Sequence, residues 1–311
     1  MKPAIAIFAF NRPASLERLL HSLAACPEFP DAQVTVFIDG PRSPSEAAVV
    51  SETIRIAQEA ATPNWRIVSA ETNRGLRRSI HSGVTEVCAL YGHAIVLEDD
   101  LVVAPAALTY FLEGLQRYEH ERRIWSICGY SYADLELAKE NRAVFLPFAH
   151  PWGWATWQRA WEQNPYDPSP VSADLIRSPS FKQAFDLNGL WPATATLDFA
   201  QRGLVNSWYM RWRLTIFRAG GLSAFPTRKL VDNLGVGAGG THASRWNPYG
   251  WLVQPSQPKT TEAPHWPAEV EVDYIAMDGM KWSRAAVSER LIARLGRIKR
   301  VMRKVLARST T

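Results

Sequence analysis

Little in this 311-residue sequence could hold it in a membrane or cross-link it covalently. No stretch reaches the ~20 apolar residues that a spanning helix needs. The first apolar run, AIAIFAF at 4–10, is cut short by Asn11-Arg12-Pro13, and the opening has no secretory pattern. The cysteines Cys26, Cys88 and Cys128 are scattered and odd in number, which fits neither a disulfide framework nor a zinc site. A reducing, cytoplasmic setting is the expectation. No segment recurs at a fixed period, so a solenoid is excluded. A general basic surface is missing too. The net charge of +5 comes from residues 283–311, where nine Lys or Arg face Glu289 alone, and the remainder is slightly acidic. That excludes a nucleic-acid groove as the organising feature.

What is present in the first half is alternation. Strand-like runs at 4–10, 33–40, 64–71 and 93–100 are separated by helix-like segments at 13–26, 43–61 and 75–92, and another helix follows at 104–120. Such spacing predicts βαβ units and a mostly parallel sheet with helices on both faces, in an α/β fold. Ligands of such sheets gather at the carboxyl ends of the strands. Phe10-Asn11-Arg12, Asp39-Gly40 and Glu98-Asp99-Asp100 all fall there. Arg74, Arg77 and Arg78 stand where a strand gives way to a helix, a place that favours anions. After residue 120 the chain becomes rich in Trp, Pro and Gly, with nine of thirteen Trp between Trp125 and Trp246.

Three carboxylates at the end of an apolar strand repel one another and resist burial unless something positive offsets them. A hard divalent cation would do so, since it takes oxygen ligands. If the strand continues regularly, Glu98 and Asp100 point one way and Asp99 the other, so the three need not share a pocket. A solvated surface turn is the alternative. GVGAGG (235–240) satisfies the dinucleotide-binding spacing, but THASRWNPYGW follows it in place of a helix, so it reads as a closing flap. His242 at its end is a candidate metal or phosphate contact.

The stretch VLEDDLVVAPAALTYF resembles the nucleotide-sugar and metal motif of GT-A glycosyltransferases, and is similar in particular to the EDD form of the N-acetylglucosaminyltransferase I family. IFAFNRPASLERLLHSL resembles the opening of those enzymes and of bacterial family-2-like sugar transferases. GWATWQRAW, SWYMRW and NLGVGAGGTH are similar to segments of bacterial members. The resemblance spans residues 4–245. It implies Mn²⁺ or Mg²⁺ on Asp100, the ribose near Asp99 and the donor sugar near Glu98. It places uracil at Asp39, in a pocket shaped by Phe10, Asn11 and Arg12. The family's catalytic aspartate before a Trp falls here on Ser207, beside Asn206, and neither is a base. Asp198 and Asp232 are the candidates instead, with Asp198 preferred.

Trp152, Trp154 and Trp157 are candidates for a sugar-stacking platform, with core packing as the alternative. The resulting organisation is a GT-A domain over 1–245, with a nucleotide-sugar half (1–120) and a Trp-rich acceptor half (121–245). A Pro-rich strap (246–282) and a basic amphipathic helix (283–311) follow. The helix could touch the inner face of a membrane. The expected activity is metal-dependent, inverting transfer of a hexosyl or N-acetylhexosaminyl group from a UDP-sugar. The acceptor is a glycan or lipid-linked hydroxyl, as in bacterial surface polysaccharide synthesis, and no nucleic acid takes part. Three alternatives stay open: an inactive relative, a Trp-rich carbohydrate-binding protein, and a sugar nucleotidyltransferase. The last would want a glycine-rich first loop, which AFNRPAS lacks.

Overall fold

The computed structural model describes residues 1–132, 140–236 and 257–280. His242, most of the glycine-rich segment and the basic stretch 283–311 lie outside the described residues. The chain opens as β1 (Ala4–Ala9), α1 (Pro13–Leu23), β2 (Gln33–Ile38), α2 (Ala47–Ala60), β3 (Trp65–Ser69), α3 (Leu76–Tyr91) and β4 (His93–Glu98). There follow β5 (Leu101–Val103), α4 (Ala107–Arg117), β6 (Ile124–Cys128), β7 (Ala143–Leu146), β8 (Trp154–Trp157) and α5 (Gln158–Trp161). Helices α6 (Ala173–Arg177), α7 (Pro179–Phe185), α8 (Ala193–Gln201) and α9 (Trp208–Arg218) lead to β9 (Leu222–Pro226) and β10 (Val231–Asn233), with α10 (Tyr274–Gly279) last.

Eight strands form one sheet in the order β3-β2-β1-β4-β8-β6-β9-β7. The first four are parallel, β8 runs against both its neighbours, and β7 runs against β9. β5 and β10 pair antiparallel as a separate ribbon. The strands of the parallel half are apolar throughout because helices cover both faces. Ile5, Ile7, Val34, Val36, Ile95 and Leu97 pack under α1, α2 and α4. Ala4, Ala6, Phe8, Ala94 and Val96 pack on the other face with Ile80, Val84 and Val87 of α3 and Trp208, Trp212 and Ile216 of α9. A smaller cluster built on Phe181, Phe185, Leu197 and Leu214 ties α7 and α8 to α9.

The segment GWATW is the main departure from the sequence reading. It is the central strand β8, wedged between β4 and β6. Period-two alternation sends Trp154 to one core and Ala155 and Trp157 to the other. Trp154 (1% exposed) packs against Trp208 at 5.5 Å and Trp212 at 5.8 Å, and the Trp157 indole donates to the Leu115 carbonyl at 2.9 Å. Neither can stack on a sugar. Beyond β10, residues 257–273 run beside edge strand β7, bridging at Arg142–His265 and Phe145–Val272, while Trp266 stacks on Tyr110 at 4.8 Å.

A structural role for Trp154 predicts that Trp154→Ala destabilises the fold by about 3–5 kcal/mol, read from urea unfolding. A platform residue would leave unfolding nearly unchanged.

Candidate active site

Three strand ends meet because β1 lies between β2 and β4, all parallel. At the end of β2, Asp39 is buried and its carboxylate is occupied by backbone donors. Oδ1 accepts from the N–H of Gly40 (3.0 Å) and Arg74 (2.7 Å), and Oδ2 accepts from the N–H of Gly75 (2.9 Å). Asp39 thereby pins the loop that opens α3. Asn73 closes the same corner by donating to the Gly40 carbonyl at 3.0 Å. The approach requires glycine at 40, where a Cβ would lie 2.5 Å from the Thr72 backbone.

At the end of β1 the chain turns through Phe10-Asn11-Arg12, and Pro13 starts α1 with a pre-set φ. The Asn11 amide donates to Glu46 at 3.1 Å. Glu46 also accepts from the Arg42 guanidinium, which lies 4.9 Å over the Phe10 ring.

At the end of β4 the chain turns at Asp99 and Asp100 before β5 begins, so strand alternation stops there. All three acids therefore face one cavity, which corrects the divided arrangement expected from a regular strand. Asp99 accepts from the Phe10 N–H at 3.2 Å and lies 3.7 Å from the Arg12 guanidinium. Asp100 accepts from Arg12 at 3.1 Å and from the Asn233 amide at 3.2 Å. The Trp208 indole hydrogen-bonds Glu98. Gly235 approaches so closely that a Cβ there would sit 2.6 Å from Asp100 Oδ2.

Burial, then the neighbouring Asp100 charge, pushes the Asp99 carboxyl up to about 7, against the pull of Arg12. Glu98 is raised by burial and by both aspartates, and Asp100 is raised by burial. The cluster thus holds more negative charge than Arg12 offsets.

The cavity measures about 280 Å³ and brings together seven of the residues expected from the sequence: Phe10, Asn11, Arg12, Asp39, Glu98, Asp99 and Asp100. Arg42, Asn73, Gly75, Leu76 and Ser79 also line it. Arg42 was missed because only the strand end Asp39-Gly40 was read; the Pro41-Arg42 that continues it carried the signal.

The structure does not bring the others into this cavity. Arg74 and Arg78 are exposed, and Arg77 turns away to Tyr166 and Asp167. Trp152, half-buried, packs edge-on against Tyr130 at 4.8 Å. Asp198 sits on the outer side of α8, paired with Arg202 one turn on at 3.4 Å. Asp232 is fully buried in β10, where Lys229 donates to it at 3.1 Å.

Residues 4–167, more than half of the chain, match the family model described as Glycosyl transferase family 2. The chain belongs to that family. Its α/β architecture, with a large mostly parallel sheet between helices, is the GT-A fold. Among curated proteins none matches the chain. Solved structures resemble this family 2 chain distantly. TarS 1-349 of S. aureus is 13% identical with a TM-score of 0.41, over 63% of this chain and 55% of that one. The mannosyltransferase PcManGT of Pyrobaculum calidifontis, in complex with GDP-Man and Mn²⁺, is 12% identical with a TM-score of 0.39, over 71% and 70%. Glucosyl-3-phosphoglycerate synthase of Mycobacterium tuberculosis, with Mn²⁺ and UDP, is 12% identical with a TM-score of 0.34, over 51% and 57%. This chain thus spans little more than half of TarS 1-349.

Among the described residues, no three His, Cys, Asp or Glu side chains converge as a complete protein cage for a metal. The residues present fit a different arrangement, in which a cation takes one or two carboxylates and completes its shell with substrate phosphates and water. Asp100, with its excess negative surroundings, is the group that would hold it.

The raised Asp99 carboxyl gives a signed pH dependence. The folded protein holds this proton from the ordinary carboxylate range near 4 up to about 7, where the unfolded chain has lost it. That contribution is present at low pH and lost as pH rises through about 7. Melting of the metal-free wild type between pH 5 and 8 is expected to fall more steeply with pH than that of Asp99→Asn. Parallel profiles would contradict this.

Proposed function

We propose that this family member transfers a sugar from a nucleotide donor, with UDP the expected nucleotide, to a hydroxyl of a glycan or lipid-linked acceptor. The observation that carries the reading is the single cavity uniting Asp39, Arg12 and the Glu98-Asp99-Asp100 turn at three adjacent strand ends. Base and ribose fit between Phe10 and the Asp39-pinned loop, near Arg42. The donor sugar fits toward Glu98, and the diphosphate toward Asp100 and Arg12. These roles are the ones the resemblance to the N-acetylglucosaminyltransferase I family implies. Mn²⁺ or Mg²⁺, when bound, would act as a Lewis acid on the departing diphosphate. Arg12 orients both aspartates toward that position and shares the charge.

For an inverting course a carboxylate must take the acceptor proton. Asp232 fits this better than Asp198, because β10 abuts the acid turn through Asn233 whereas Asp198 stays on the surface of α8. Neither lines the cavity, and that observation favours a second reading, a catalytically inactive relative that retains donor binding. The hexosyl or N-acetylhexosaminyl choice, a role in surface polysaccharide synthesis, and membrane contact through residues 283–311 at the cytoplasmic face belong to the same proposal.

Calorimetric titration of UDP, with and without Mn²⁺, tests the donor site. Wild type is expected to bind UDP in a metal-dependent way, and Asp100→Ala to weaken it by about 2 kcal/mol or more, roughly thirtyfold. A wild type that ignores every nucleoside diphosphate in the presence of metal would sink the reading. Given donor binding, Asp232→Asn is expected to lose turnover of a UDP-sugar while still binding UDP. No turnover by the wild type across donor and acceptor screens would select the inactive relative.

A further inference from the structure

Trp208 stands between two differently charged places. On one side its indole meets Glu98 in the donor cavity; on the other it lines a small closed recess with Arg77, His81, Tyr166 and Arg211. Arg77 sits in the first turn of α3 and Arg211 in the first turn of α9, both mostly buried, with 13% and 17% of their side chains exposed. One carboxylate serves both guanidiniums. Asp167 pairs with Arg77 and lies 4.0 Å from Arg211, yet its own side chain is 73% exposed. Arg77 also stacks 3.9 Å over the Tyr166 ring and donates to the Tyr166 carbonyl at 2.7 Å, while its buried Nε has no partner.

Holding two cations together and half-dry is costly. Burial and the Arg77 charge both pull the Arg211 pKa down, with only partial relief from Asp167. A core-facing structural pair would have a buried, rigid acid. Here the acid is a surface residue that closes a recess of about 10 Å³, too small for any ligand while it stays. Two planar forks in the first turns of two helices suit an oxyanion, which could take up the unused Nε as well.

We propose that Arg77 and Arg211 form a binding site for a phosphate group carried by the acceptor, and that Asp167 occupies it in its absence and swings out when the acceptor arrives. The word acceptor rests on the glycosyltransferase reading; the oxyanion site itself does not. It also gives Arg77 a place different from the donor-phosphate role expected from sequence.

The test uses the full chain with inorganic phosphate and glucose 6-phosphate as probes, followed by calorimetry and by the melting shift. Asp167→Asn, an exposed and conservative change, removes the stand-in charge and is expected to bind phosphate about tenfold more tightly than wild type. Adding Arg211→Met to it should abolish that binding, with the unliganded melting curve and UDP titration confirming an intact fold. Glucose 6-phosphate should bind in the presence of saturating UDP and Mn²⁺, and free glucose should not. Three results would overturn the proposal: no saturable phosphate binding by Asp167→Asn, equal binding after Arg211→Met, or displacement of phosphate by UDP. If wild type binds no nucleotide while the phosphate results hold, the donor reading fails and the oxyanion site stands.

Discussion

Mutual repulsion among Glu98, Asp99 and Asp100 is the constraint to which the surrounding structure answers. Three carboxylates in a half-buried turn raise one another's pKa, and each neighbouring element contributes one compensating contact. β1 supplies the Phe10 N–H and, one turn later, Arg12. β10 supplies the Asn233 amide, and α9 the Trp208 indole. These contacts come from four places distant in sequence, so the parallel order β2-β1-β4 and the β5–β10 ribbon must both be in place before the acids can be tolerated. A fold that merely needed stability would gain more from apolar residues there, since buried charge rarely repays its desolvation. The acids are held for what they bind.

The same topology explains why so much of the tryptophan is structural. A sheet buried on both faces needs large side chains where helices stand off from it, and β8 places Trp154 in one core and Trp157 in the other. Trp208 is the exception that links packing to chemistry. It stacks on Trp154 at 5.5 Å with its rings while its N–H reaches Glu98, so the core directly fixes one wall of the cavity.

The parallel half of the fold was legible because each strand there is a short apolar run closed by polar residues, and each helix has its own apolar period. The strand-end residues followed from the same pattern, since topology alone puts them on one edge. Two features escaped. WATW is too short to show a period and sits among Gly and Pro, so its place between β4 and β6 depended on long-range pairing that no local signal carries. The arginines misled for a related reason. Arg74, Arg77 and Arg78 flank a helix start, but which way a first-turn side chain points depends on what packs beside the helix. The Asn164–Asp167 loop drew Arg77 away, and Arg42, on the other side of Asp39, took the place at the cavity. Asp198 was favoured for its closeness in sequence to the Trp208 segment, yet helix period turned it outward to Arg202.

The charges are therefore segregated across Trp208 rather than mixed. Acids crowd one side and arginines the other, and in neither place does the protein complete its own neutralisation with buried partners. Were these ordinary structural ion pairs, the economical arrangement would let Arg77 or Arg211 reach the acid turn, because Glu98 lies just across the Trp208 indole. Instead Arg211 is tethered to the Ser207 carbonyl at 2.8 Å and Arg77 to the Tyr166 carbonyl, which keeps both on their own side. Side chains held apart from available counter-charges are preorganised for ions that arrive from outside. An enzyme that must align a nucleotide diphosphate with its cation on one side and an anionic acceptor on the other needs this separation. A guanidinium free to cross would close the salt bridge and occupy the path between donor and acceptor.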